Sequence, residues 1–344
     1  MTNVLNTLYV STPKAYVALE GDSLKVRVEH ETRLQVPLHH LVSLVCLGPV
    51  TVSPEAMGAC AEHGVTIVFL GWNGRFLARV EGPLAATATL RRAQHEAQRD
   101  AVRRPELARA FVAGKIANSR SQLLRAGRTR DATERIAAAT ERLSLLAKQA
   151  LTVDDVDVLR GVEGEAAARY FEVFDDMLGT EGGADEPAFR FEKRTRRPPL
   201  NELNALLSFG YALLHSDCLA AVHSAGLDPG IGFLHDERPG RPALALDLME
   251  ELRSLWVDRR VLAMIRLRQI QLDGFERFPT GEVRMNDATR RTFLKVYQEG
   301  KRDEITHPLT GQKMAWALVP HVQARLLARA IRQEGEYVPF LLGR

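Results

Sequence analysis

GVTIVFLGWNGRFLARV (64–80), followed a few residues later by ATLRRAQHEAQRDAVRRPELARAFVAGKIA (88–117), decides how this chain folds, because the hydrophobic period changes between the two. In the first stretch, two β-rich runs flank Asn73-Gly74. That pair suits a two-residue hairpin turn, whose central residues both need positive φ. In the second, good helix formers carry apolar residues at helical spacing, and Pro105 is expected to interrupt them. The strand pattern extends upstream through TLYVST (7–12), AYVALE (15–20), SLKVRVEH (23–30), TRLQVPL (32–38) and LVSLVCLG (41–48). One helix fits SPEAMGACAEHG (53–64), with Ser53 as cap, Pro54 at its first position and Gly64 at its end.

Downstream, helices are expected over 131–149, from about 152–154 into LRGVEGEAAARYFEVF (159–174), over LNELNALLSFGYALLHSDCLAAVHSAG (200–226), and over LALDLMEELRSLWVDRRVLAMIRLRQI (244–270). Residues 179–187 and 228–242 read as loops, the basic run FRFEKRTRRPP (189–199) as exposed, and the remainder as short helices and loops. The expected fold class is α+β: a small N-terminal β-rich, sandwich-like domain (1–87) and a larger all-helical domain (88–344).

Composition narrows the partners. A hydrophobic share of 45% with 26% charged residues excludes a disordered chain. No apolar run reaches the roughly 18 residues of a membrane span, and no signal peptide is visible. Cys46, Cys60 and Cys218 form neither a disulfide framework nor a CxxC metal pair, so a cytoplasmic home is expected. Arginine outnumbers lysine, and residues 91–142 carry 13 Lys+Arg against 6 Asp+Glu. Such a surface suits phosphates, though plain solvation explains any single helix.

Three places hold chemistry. Glu163 lies close to glycines on either side, Gly161 and Gly164, with alanines after it, which is unusual for a helix and lets another group come near. His235 follows the glycine-rich turn Gly230-Ile231-Gly232. Asp247 and Glu250 share a helix face at i,i+3, and Asp247 stands in an apolar run, so it needs a partner. Each alone reads equally as a surface or salt-bridged residue. Together they make a mixed oxygen and nitrogen set suited to Mn²⁺ or Mg²⁺.

In these stretches the sequence strongly resembles the CRISPR-associated integrases of spacer acquisition, which are metal-dependent DNA endonucleases. LRGVEGEAAARYF (159–171), RRPPLNELNALLSFGYALL (196–214), GLDPGIGFLHDERPGRPALALDLMEELR (226–253), VDRRVL (257–262) and the N-terminal LNTLYVSTPKAYVALEGDSLKV (5–26) carry the likeness in order. The resemblance implies metal ligands at Glu163, His235 and Glu250, with Asp247 as a further catalytic acid. Ser254 departs from the proline common there and puts the end of that helix in question. The implied reaction joins 3′-hydroxyls of a short DNA duplex to a phosphodiester of a CRISPR array by transesterification. An imidazole must be neutral to ligate, so activity is expected to fall in acid.

The resemblance also implies homodimers, two of them bridged by a small ferredoxin-like partner into a heterohexamer, acting on double-stranded and branched DNA. Arg196, Arg197, Arg238, Arg241, Arg259 and Arg260 are candidates for phosphate contact. Asn204, Ser208 and Tyr211 form a polar face inside an apolar helix, either supporting the site, lining DNA or closing a buried network. The N-terminal segment resembles type I-C members. The tail EYVPFLLGR (336–344) reads as a docking or packing segment. The alternatives are a catalytically silent DNA-binding scaffold and an unrelated helical metalloenzyme of small phosphoesters.

Overall fold

The computed structural model describes residues 6–342 except 72–75, 81, 83–87, 130–133, 179–188 and 196. Strands β1 (Asn6–Val10), β2 (Tyr16–Glu20), β3 (Ser23–Val28), β4 (Glu31–Pro37), β5 (Leu41–Leu47) and β6 (Thr51–Val52) come first, then helix α1 (Pro54–Glu62), β7 (Thr66–Leu70) and β8 (Phe76–Val80). They form two sheets, ordered β1-β5-β7-β8 and β4-β3-β2-β6. β7 and β8 pair antiparallel as the hairpin reading requires, while Asn73 and Gly74 themselves lie outside the described residues. The Ser53 hydroxyl accepts from Ala56 N at 3.1 Å and caps α1.

β5 shows why LVSLVCLG reads as almost wholly apolar. Side chains alternate across a strand. Leu44 and Cys46 join the core of the small sheets, while Val45 and Leu47 join the core of the helices. β7 repeats the split, with Ile67 on one side and Val68 and Leu70 on the other. A strand buried on both faces needs no polar side.

Helices follow: α2 (Ala88–Arg99), α3 (Arg103–Thr129), α4 (Glu134–Ala150), α5 (Val156–Glu172), α6 (Phe174–Leu178), α7 (Glu202–Ser224), α8 (Ala243–Glu250) and, after a π-helical turn at Arg253–Asp258, α9 (Arg259–Arg266). The break between α2 and α3 falls ahead of Pro105, not at it. Asp100 accepts from Val102 N (2.9 Å) and Arg103 N (2.8 Å), which leaves the proline in the first turn of α3, where no amide donor is needed. Ser254 does not stop the chain's helical course: it lies inside the wide turn. That turn is pressed against α7, where a Cβ on Gly210 would stand 2.5 Å from Val257 Cγ1. α7 is apolar enough by length and composition to cross a bilayer, but 72% of its apolar window is buried here as a core helix.

The C-terminal half is not all helical. β9 (Phe275–Arg277) pairs with β10 (Val283–Met285), then come α10 (Asp287–Gly300), the pair β11 (Glu304–Thr306) and β12 (Lys313–Ala315), and α11 (Val319–Ile331). Each hairpin turns at a Pro-to-Gly loop, with Gly281 at φ 81° and Gly311 at φ 66°. Strands of three residues give too little alternation to reveal themselves in sequence.

Candidate active site

α3, α5, α8 and the loop ahead of α8 converge on one polar cluster. α5 presents Glu163, whose side chain is 24% exposed, while Gly161 and Gly164 lie on the solvent side of the helix, where an added Cβ would meet open space. α8 presents Glu250, only 3% exposed. α3 presents Lys115 between them. Its ammonium pairs with Glu163 Oε1 and, at 2.6 Å, with Glu250 Oε2. The other Glu250 oxygen takes Arg253 Nη2 at 2.8 Å and lies 3.9 Å from His235 Nε2. Burial works against a charge on Glu250, but Arg253, then Lys115 and His235, outweigh it and hold the carboxyl at about 2.

His235 is held from behind. Asp247 is fully buried. Its Oδ2 accepts from Phe233 N (2.6 Å) and Leu234 N (3.0 Å). Its Oδ1 accepts from His235 N (2.9 Å) and from the ring Nδ1 (2.7 Å). A carboxylate only accepts, so the neutral ring carries its proton on Nδ1 and presents Nε2 with a free lone pair. Asp247 and Glu250 therefore do not converge on one another. They address opposite nitrogens of one imidazole, and Asp247 acts as the positioning acid. Gly232 makes this possible: a Cβ there would lie 2.8 Å from Ala243 Cβ and 2.9 Å from Asp247 Oδ2.

The loop is clamped on its other side by residues with no local sequence feature to mark them. The buried Gln94 side chain donates to Asp228 O and Ile231 O and accepts from Asp228 N, each at 2.8 Å. Arg104 Nε donates to Phe233 O (3.1 Å), Arg160 Nε donates to Leu234 O (2.7 Å), and both guanidinium groups reach Asp236.

Asn204, which is buried, and the half-buried Ser208 and Tyr211 belong to an internal hydrogen-bond network. Asn204 Oδ1 accepts from Arg194 Nη1 (2.8 Å) and Thr195 N (3.0 Å), and Ser208 Oγ accepts from Arg194 Nη2 (3.1 Å). Tyr211 donates to Asp258 at 2.6 Å and Tyr170 donates to it at 3.0 Å. The Arg253 guanidinium lies 5.1 Å from the Tyr211 ring centroid, linking this network to Glu250. Burial pushes Asp258 up from 3.8 to about 6, against the two tyrosine bonds and the nearby Arg194 and Arg253. The folded state then holds this proton longer than the unfolded state. Its contribution to stability is greatest in acid, falls as pH rises from about 4 to about 6, and is level above. Asp258→Asn is expected to remove that slope, read as the difference between urea midpoints of variant and parent across this range.

Of the arginine candidates, Arg196 lies outside the described residues. Arg197 and Arg238 are exposed, and Arg241 and Arg259 are half-buried. Arg260 is engaged internally: it lies 3.5 Å from the Trp256 ring centroid, pairs with Asp303 at 3.2 Å, and fills the space left by Gly300. The tail is a packing segment: Tyr337 and Phe340 are buried, and Glu251 accepts from Tyr337 Oη, Phe340 N (both 2.8 Å) and Gln323 Nε2 (3.0 Å).

Among the described residues, no three His, Cys, Asp or Glu side chains already gather at ligand distance. The Lys115 ammonium stands at the centre as the cation that two carboxylates share. The donor set nonetheless fits a hard divalent ion. Glu163 and Glu250 supply oxygens, His235 supplies an oriented nitrogen, and the buried Glu250 Oε2 has no hydrogen bond of good geometry.

The comparisons agree with the fold. The family model for CRISPR associated protein Cas1 matches residues 8–299. The chain is 46% identical over 342 residues to CRISPR-associated endonuclease Cas1 1 of Moorella thermoacetica, covering 98% of each. A CAS1 protein from Thermotoga maritima superposes with a TM-score of 0.80 at 24% identity, over 98% of this chain and 100% of that one. A casposase bound to an integration product superposes with a TM-score of 0.77 at 22% identity, over 98% of this chain and 93% of that one. With strands β1 to β8 ahead of a larger helical body, and a family match over most of its length, the chain belongs to the family of CRISPR-associated Cas1 proteins.

Proposed function

We propose that this chain is a metal-dependent DNA endonuclease and integrase that inserts short duplexes into a CRISPR array. One observation carries the reading: Glu163 and Glu250, brought from two separate helices, share a single cation beside an imidazole whose Nδ1 is tied to a buried carboxylate. The endonuclease name of the Moorella relative and the integration product held by the casposase support it.

In the reaction, a 3′-hydroxyl oxygen attacks a target phosphorus as the bond to the target's own 3′-oxygen breaks, so phosphodiesters are exchanged and no high-energy cofactor is consumed. Glu163, His235 and Glu250 would hold Mn²⁺ or Mg²⁺, which would supply positive charge at the phosphoryl oxygens and lower the cost of deprotonating the hydroxyl. Asp247 keeps Nε2 of His235 directed at the site. Arg104 and Arg160 keep the loop in place. Arg197, Arg238, Arg241 and Arg259 remain the phosphate-contact candidates, with Arg196 in the same basic run.

On the same reading, residues 88–344 form the catalytic domain, and residues 1–87 serve dimerisation, for which edge strand β4 offers a largely exposed face including Leu34. Two homodimers bridged by a small ferredoxin-like partner form the working heterohexamer in the cytoplasm. The type I-C assignment rests on the N-terminal segment alone.

The test is strand transfer on a branched DNA that mimics a half-integrated intermediate, with Mn²⁺ or with EDTA. Glu163→Gln is expected to lower the rate by about a hundred- to a thousandfold, as removal of a transition-state electrostatic partner does. EDTA is expected to abolish the reaction. DNA binding with no transfer under either metal would instead support the silent scaffold.

A further inference from the structure

We propose that Lys115 is the resident counter-ion of the site: its ammonium holds Glu163 and Glu250 together in the metal-free protein, and a divalent cation must displace it to bind. The inference rests on the reading of Glu163, His235 and Glu250 as cation ligands. It adds a competitor supplied by the chain itself.

Lys115 is 12% exposed and reaches from α3 to one oxygen on α5 and one on α8. Glu250 Oε2, the oxygen it approaches at 2.6 Å, is buried and has no hydrogen bond of good geometry. Arg253 occupies the other oxygen of Glu250 and so cannot replace the ammonium. Without the ammonium, Arg253 on the far oxygen of Glu250 offsets only part of the repulsion between the two carboxylates. A metal-free chain without Lys115 is therefore strained.

A divalent ion and an ammonium compete for the same two oxygens, and they repel one another if both stay. Lysine suits the part of a displaceable cation. Its charge is compact and its stem is flexible, whereas a guanidinium would make a forked and more rigid pair. The Glu163 side chain is 24% exposed, so the site is not sealed against such a movement.

The test is Mn²⁺ binding to DNA-free protein, followed by the loss of the free-ion paramagnetic resonance signal. Lys115→Met is expected to bind Mn²⁺ at least about tenfold more tightly than the parent, since a competing like charge is gone. The same variant is expected to melt at a lower temperature without metal and to gain more from Mn²⁺ than the parent gains. Glu163→Gln is expected to lose binding. Parental affinity in Lys115→Met, with binding still lost in Glu163→Gln, would overturn the competitor while leaving the metal site standing. Unchanged binding in Glu163→Gln would overturn the metal site itself, and this inference with it.

A second measurement needs no variant. Reductive methylation of Lys115 in the parent protein, followed by peptide mass spectrometry, is expected to run several-fold faster with Mn²⁺ than with EDTA. Equal rates would mean that the ammonium never leaves, and the proposal would fall.

Discussion

Asp247→Ala is expected to destabilise the protein by about 3–5 kcal/mol, the range found when one partner of a buried charged network is removed. The carboxylate accepts three backbone N–H bonds as well as the ring Nδ1 of His235. Alanine leaves all of these donors facing a dry cavity, and each unsatisfied buried group costs about 1–3 kcal/mol. Asp247→Asn keeps the shape but presents an amide to one set of donors, so it should fall between parent and alanine. Urea denaturation of both variants measures this. A loss below about 1 kcal/mol for alanine would show that Gln94, Arg104 and Arg160 hold the loop without Asp247. Strand-transfer activity should be lost even where the variant stays folded, because among the described residues Asp247 alone bonds the ring Nδ1.

Ending the chain after Gly335 is expected to have an effect of similar size. Phe340 is fully buried, with its ring 5.3 Å from both His307 and Trp316, and Tyr337 packs 5.1 Å from Phe111. Loss of one buried aromatic costs about 3–5 kcal/mol. Truncation also strips Glu251 of two donors and removes Phe340 O from the Asn118 amide. Glu251 is buried, and burial raises its carboxyl to about 7 even with three donors present, so it tolerates their loss poorly. Phe340→Ala should reproduce most of the drop in the denaturation midpoint. Leu341→Ala, at a side chain 39% exposed, should change it little.

The division into strands and helices was legible because the hydrophobic period switches cleanly between residues 80 and 88. That Glu163, His235 and Glu250 stand near one another was foreshadowed by context: glycines around a helical acid, an imidazole after a glycine turn, an acid at the end of an apolar helix. Lys115 was not, because one lysine in a long, arginine-rich helix has no local feature to mark it. Its role comes from two carboxylates 48 and 135 residues further along the chain. Gln94, Arg104 and Arg160 escaped for the same reason, since their partners are backbone carbonyls of a distant loop. Asn204, Ser208 and Tyr211 were visible as a polar face, but its partners Arg194 and Asp258 come from elsewhere and are found only by folding.

The alternation of β5 has an evolutionary corollary. Val45, Leu47, Val68 and Leu70 belong to the core of the helices although they sit on strands of the small sheets. A gene rearrangement that exchanged the first eighty or so residues as a cassette would import foreign side chains into the helical core. New N-terminal segments can therefore be accepted only with matching changes in the helical core that these four side chains join, which ties the inheritance of the two parts together.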